Sequence, residues 1–205
     1  MNISALWFQP ISTGFPTRGS IGILVSFLLF GCANPPTGPM SATLPPTAVC
    51  CMPYSDMKYT ELKIDSEQAA DLREGTPAHE FLEGKSFYRA FVLPARTGPS
   101  KLKYKAFVGG IALPYATVVR PYFVFLDKDK AEVSLVPDPP AFSGTELLRG
   151  SFFKGEVPIP EDAAYVVLYT SERPVAPRTV FSANGTAWPA KPSMSGNLSL
   201  TATKQ

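Results

Sequence analysis

Proline restricts this chain more than any other residue, with 22 in 205 positions. Each proline removes a backbone donor and fixes φ, so long helices are disfavoured. Fourteen phenylalanines and eight tyrosines accompany them, residue types that suit a pleated, half-buried surface. The combination predicts short strands joined by turns. The formal net charge of +2 supplies no strong field and excludes nucleic acid as an expected partner. One histidine, His79, and three cysteines, Cys32, Cys50 and Cys51, are too few for a four-ligand zinc site. No metal and no cofactor is expected.

Strand signals recur along the chain. Ser86–Leu93 reads SFYRAFVL. Leu102, Tyr104, Ala106 and Val108 alternate with Lys101, Lys103 and Lys105, so one face is apolar and the other charged. Tyr122–Leu126 and Ala131–Val136 flank Asp127-Lys128-Asp129-Lys130, the pattern of a hairpin with a polar turn. Leu147–Val157 predicts a strand or a bent pair, with Gly150 and Gly155 as turn or bulge points. Ala163–Thr170 is the most apolar run and is expected at the centre of a sheet. The expected fold is all-β, an antiparallel β-sandwich of jelly-roll or immunoglobulin-like type. One short helix is expected, capped by Asp65 with Gln68 three residues on and ended by Gly75-Thr76-Pro77.

The N-terminal part is organised differently. Ile21–Gly31 is almost unbroken apolar sequence behind Arg18. It is shorter than the about 20 residues a membrane-spanning helix needs, and it matches the apolar region of a secretory leader. It stops at Leu29-Phe30-Gly31-Cys32, which resembles the lipobox of bacterial lipoproteins. That resemblance implies cleavage after the small Gly31 and acylation of the Cys32 thiol. Ala33 after the cysteine implies an outer-membrane destination, facing the periplasm. Acyl chains add about 0.8 kcal/mol per buried methylene, so several chains anchor a protein durably.

Residues 1–31 are thus expected to be a lipoprotein signal peptide. Residues 32–49, with Pro35, Pro36, Pro39, Pro45 and Pro46, form a lipidated, disordered Pro-rich tether reaching on the order of 50 Å. The alternative for this stretch is a covered loop on the domain. A β domain occupies 50–185. Residues 186–205, polar and carrying Pro189, Pro192 and Gly196, are expected to be a loose tail, with Leu198 and Leu200 able to add an edge strand.

An ordered set of short motifs runs through the domain: Val49-Cys50-Cys51, Gly84-Lys85-Ser86-Phe87-Tyr88, Phe91-Val92-Leu93-Pro94, Arg120-Pro121-Tyr122, Phe125-Leu126-Asp127 and Leu168-Tyr169-Thr170. This order resembles the maltose operon periplasmic protein (MalM) family over about residues 50–180. The resemblance implies an envelope β-sandwich without catalysis, linked to maltose and maltodextrin transport. The lipobox-like segment departs from that family's pattern and implies a lipid-anchored relative.

The candidate chemistry is non-catalytic. His79, between Pro77 and Phe81, reads as a surface or turn histidine without a nucleophile beside it. Asp127, Asp129 and Glu132 could gather around calcium, but Lys128 and Lys130 among them favour a charged turn. Tyr54, Tyr59, Tyr115, Tyr122 and Trp188 are the candidate sugar contacts, because such side chains offer an apolar face and a polar tip; core and edge packing is the competing role. Cys50 and Cys51 are the thiols left once Cys32 is acylated. In an oxidising compartment they are expected to pair, although adjacent Cα atoms lie about 3.8 Å apart across a trans peptide and ordinary disulfides want about 4.4 Å or more. Intermolecular bonding and free buried thiols are the alternatives. Two functions remain: an outer-membrane lipoprotein accessory to carbohydrate uptake, or a structural or assembly lipoprotein that binds another envelope protein.

Overall fold

The computed structural model describes Met40, residues 42–45 and residues 49–204. The expected signal peptide, Cys32 and most of the Pro-rich stretch lie outside the described residues. The described chain is all-β. A first sheet orders β1 (Tyr59–Glu61), β4 (Gly84–Val92), β11 (Tyr165–Thr170), β7 (Pro121–Leu126) and β8 (Glu132–Pro137), with β3 (Ala78–Phe81) as a hairpin on β4. A second sheet orders β2 (Gln68–Ala69), β14 (Leu198–Lys204), β5 (Ser100–Phe107), β10 (Gly150–Pro158) and β9 (Phe142–Glu146). A small third sheet joins β12 (Arg178–Phe181), β13 (Ala187–Ser193) and β6 (Thr117–Val119). Pairing is antiparallel except for β1 with β4 and β13 with β6.

Alternation builds the sandwich. Phe87 and Phe91 of β4, Phe123 and Phe125 of β7, and Val166 and Leu168 of β11 share one core with Leu102 and Tyr104 of β5, Phe153 and Val157 of β10, and Leu198 and Leu200 of β14. Burying such a side chain contributes about 1.5–3 kcal/mol relative to leaving it in water. The lysines of β5 point the other way, and Lys105 pairs with Glu67 and Glu146 on the outer surface. The strand β11, expected at the centre, lies between β4 and β7. The Asp127–Lys130 turn closes the β7–β8 hairpin, with the Asp127 carboxylate accepting from the backbone of Asp129 and Ala131 at 2.8 and 2.9 Å.

Several expectations are corrected. No helix spans 65–74. Asp65 takes a positive φ of 53°, and Gln68 and Ala69 pair with β14. Leu62, Ala70 and Leu72 are buried at even positions, a period of two that two helical turns could not overcome. Residues 186–205 are no loose tail. They supply β13 and β14, and β14 is an interior strand between β2 and β5, held by the buried Leu198, Leu200 and Ala202. Two further corrections concern local segments. Part of the expected tether is docked: Met40 exchanges backbone bonds with Val175 at 2.9 Å, and Leu44 joins the core. Within the expected 147–157 strand, Leu147 and Leu148 form an exposed turn between β9 and β10, with Gly150 at φ 78° ending it.

Candidate functional site

The strand period that fills the core also writes a second layer on the outer face of the first sheet. Register places Tyr88 of β4, Tyr169 of β11 and Tyr122 of β7 in one row across three strands. Tyr165 lies four residues before Tyr169 and therefore on the same face. The segment 54–61 lies at the edge of this sheet, where β1 pairs with β4, and adds Tyr54, Met57 and Tyr59 to the layer. Six of the eight tyrosines thus belong to one cluster: Tyr54, Tyr59, Tyr88, Tyr122, Tyr165 and Tyr169.

The rings form a continuous path. Tyr122 lies 5.4 Å from Tyr169, Tyr169 stacks on Phe81 at 3.7 Å, Phe81 meets His79 edge-on at 4.7 Å, and His79 lies 5.5 Å from Tyr54. The Tyr59 hydroxyl donates to the Tyr54 carbonyl at 2.8 Å, and its ring is 4.7 Å from Tyr165. Lys130, in the left-handed region at φ 65°, sets its ammonium 3.3 Å from the Tyr59 ring centre and 3.4 Å from that of Tyr165. A cation over two ring faces is attracted by both quadrupoles. Burial lowers the Lys130 pKa.

The layer is electrostatically closed to ionised phenols. Burial, helped by Glu132 and Glu83, pushes Tyr54 up to about 12. Burial also raises Tyr59 and Tyr88. Tyr169 is raised by burial and by its bond to Glu83. Each therefore stays a neutral donor at physiological pH. His79 is lowered by burial, so it is held neutral.

Beside this layer opens a cleft of about 650 Å³, lined by Pro45, Val49, Met52, Pro77, Phe87 and Tyr88, with Lys58 and Glu74 also in its wall. The volume falls within the about 300–1,000 Å³ of small-molecule sites. Val49 and Met52 are exposed on its rim and flank Cys50 and Cys51, which are bonded to each other across a cis peptide. The Val49 carbonyl accepts from Ala78 at 3.1 Å, which ties this rim to β3. Tyr88 is 1% exposed, and among the described residues its hydroxyl has no hydrogen-bond partner. A buried donor left in this state is costly unless something meets it.

The structure brings together three of the five candidate sugar contacts. Tyr54, Tyr59 and Tyr122 belong to the layer, Tyr122 as a buried member. Tyr115 stands apart in the short 3-10 turn Leu113–Tyr115, 71% exposed. Trp188 lies on β13 opposite Val180 and packs against the main core. His79 is on β3 between two aromatic rings rather than in a surface turn. Tyr88, Tyr165, Tyr169 and Lys130 were missed by the sequence reading. Period two within AAYVVLYT would have put Tyr165 and Tyr169 on one face, but only the register aligns Tyr169 with Tyr88 and Tyr122. Among the described residues no cluster of three His, Cys, Asp or Glu could hold a metal ion. No protein-family model matches the chain, and no curated protein or solved structure does either.

Proposed function

We propose that this chain is a non-catalytic lipoprotein of the bacterial outer membrane, anchored through Cys32 and facing the periplasm, whose β domain binds carbohydrate as an accessory to maltose- or maltodextrin-type uptake. The anchor is supported by the apolar run that stops at Gly31-Cys32. The sugar class is supported by a motif order that resembles that of maltose operon periplasmic proteins.

The observation that carries ligand binding is the open cleft itself, with apolar residues and two charged ones in its wall. A sugar presents C–H faces to apolar lining such as Val49, Met52 and Pro77, and hydroxyls to the polar groups beside them. Lys58 and Glu74 add one donor and one acceptor group to the same wall. Nothing in this arrangement activates a nucleophile: His79 is held neutral and enclosed by rings, and Tyr54, Tyr59, Tyr88 and Tyr169 are held as phenols.

Calorimetric titration with maltodextrins tests the reading. Glu74→Ala removes an exposed carboxylate from the cleft wall, so the fold should tolerate it. Loss of one hydrogen bond should weaken glycan binding by roughly 3- to 10-fold. Heat of binding that is unchanged by Glu74→Ala moves the site elsewhere. No heat with any glycan favours the assembly alternative, in which the partner is another envelope protein.

A further inference from the structure

An edge strand exposes a row of unpaired backbone groups that another chain can pair with, and proteins ordinarily shorten, bulge, charge or cover such edges. Among the described strands, the edges of this fold follow that rule with one exception. β1 and β6 have three residues and β2 has two. β3 is met on its far side by Val49, whose carbonyl accepts from Ala78. β8 carries a register shift and ends on Pro137. β12 opens with Arg178, which is bound to Asp138. β9, Phe142-Ser143-Gly144-Thr145-Glu146, has five residues, no lysine, no proline and an unbroken register with β10.

The ladder fixes which groups this edge presents. The Ser151 carbonyl accepts from Val108 at 2.9 Å, so odd-numbered residues of β10 turn their backbone groups toward β5. The even-numbered Phe152 and Lys154 then face β9 and bond Gly144 and Phe142, the residues opposite them. The amides and carbonyls of Ser143 and Thr145 are left on the free edge, and both residues are exposed. On the outer face Phe142 is 73% exposed. The Phe152 ring covers Gly144, its tip 2.5 Å from where a Cβ on that glycine would stand. The Glu146 carboxylate is already held by Lys105 and Arg149 of its own chain. Beyond it, Leu147 and Leu148 are fully exposed at the tip of the β9–β10 hairpin.

We propose that β9 pairs antiparallel with β9 of a second copy of this chain, about a two-fold axis through Gly144. In this register the strand is its own complement. Ser143 of each copy lies opposite Thr145 of the other, and each such pair exchanges both backbone bonds. Gly144 faces Gly144 in the closer, non-bonded pair, where Cβ positions are about 4.5–5.5 Å apart. Each Phe152 tip stands at its own Gly144 Cβ position, so the two rings meet across the axis. Phe142 falls opposite Glu146, whose charge its own chain has neutralised, and no like charges face each other. The exposed Leu147 and Leu148 come beside Ala141 and Phe142 of the second copy. A foreign strand can supply backbone bonds, but it brings neither the second Phe152 ring nor a leucine tip at the matching end; these select a second copy. An isologous contact of this kind closes at two chains and joins the two five-stranded sheets into one.

The test depends on the sign of charge at two exposed positions. The full chain in detergent micelles is followed by sedimentation velocity across a concentration series, and the parent should sediment as a dimer. Ser143→Glu with Thr145→Glu sets like charges directly opposite each other on both sides of the axis and should weaken association roughly tenfold. Ser143→Glu with Thr145→Lys sets opposite charges at the same places and should hold the dimer at least as well as the parent. Association through the N-terminal residues responds to neither variant, so a dimer that treats both alike overturns the proposal. A monomeric parent overturns it too, whether or not it takes up a strand of another protein. Position is read by mixing Ser143→Cys and Thr145→Cys chains under mild oxidation. A hydrogen-bonded pair, with Cα atoms about 5.5 Å apart, suits a disulfide, so peptide mass mapping should find residue 143 of one chain linked to residue 145 of the other. Dimers linked only through native cysteines, or not linked at all, overturn this register and with it the proposal.

Discussion

The Tyr169 hydroxyl donates to the Glu83 carboxylate at 2.6 Å, and both groups are buried. Glu83 sits in the tip of the β3–β4 hairpin, so this bond pins the hairpin to the central strand β11. The other ionic contact is loose, with Arg173 at 3.9 Å. Tyr169→Phe leaves a buried carboxylate without its donor and should cost about 1.5–3 kcal/mol. Glu83→Gln keeps an acceptor and should cost less. Midpoints of urea unfolding for the two variants give the comparison, and a larger loss for Glu83→Gln would contradict it.

Lys130 holds two tyrosine rings together from a turn whose backbone is left-handed. Lys130→Asn keeps a residue that tolerates this conformation and removes the ammonium. The expected loss is about 0.5–1 kcal/mol, the range for a partly exposed cation–π contact. Lys130→Gly relieves the backbone more fully and should be no worse than Lys130→Asn. Thermal unfolding checks the order.

Two groups give the stability its pH dependence in separate windows. Burial lowers the folded pKa of His79, so the unfolded chain takes up the proton first. Stability is full above the unfolded value of about 6.5 and falls as the pH drops through it toward the folded value. His79→Phe should flatten the melting temperature between neutrality and that lower range. Partial burial pushes Glu67 up, but bonds from Arg149 and Lys105 outweigh it and hold the carboxyl at about 2. Its contribution persists above the unfolded carboxylate value and is lost only as the pH falls toward 2, a loss that Glu67→Gln should remove.

The last strand is structural. Leu200→Ala, at a fully buried position of β14, should destabilise by about 2–5 kcal/mol. Removing residues 198–204 should abolish cooperative unfolding altogether, since β5 would lose one of its two neighbours. Circular dichroism melts distinguish the two outcomes.

Where side chains alternate between large apolar and charged, the sequence was readable. Lys101–Val108 disclosed β5 with its buried and exposed faces, and AAYVVLYT disclosed a central strand. Where alternation is written in small or polar residues, it was not. Ser66, Gln68 and Ala70 carry too little hydrophobic contrast to show a period of two, so capping residues suggested a helix instead. The C-terminal strands were hidden by Pro189 and Pro192, which sit on β13 in the small third sheet. Of the site, Tyr54, Tyr59 and Tyr122 were named as separate candidates. Their convergence with Tyr88, Tyr165 and Lys130 depends on pairing between residues 73 to 81 positions apart, which no local pattern carries.

The place of β14 sets a timetable. Its neighbours are β2, at residues 68–69, and β5, at residues 100–107, yet it is made of residues 198–204. Until that segment emerges, β5 has one open edge and the core lacks Leu198, Leu200 and Ala202. Contacts of such long sequence separation close late, because chain entropy must be overcome before they reward it. The second sheet therefore waits for residue 204 during synthesis, long after β5 itself has been made.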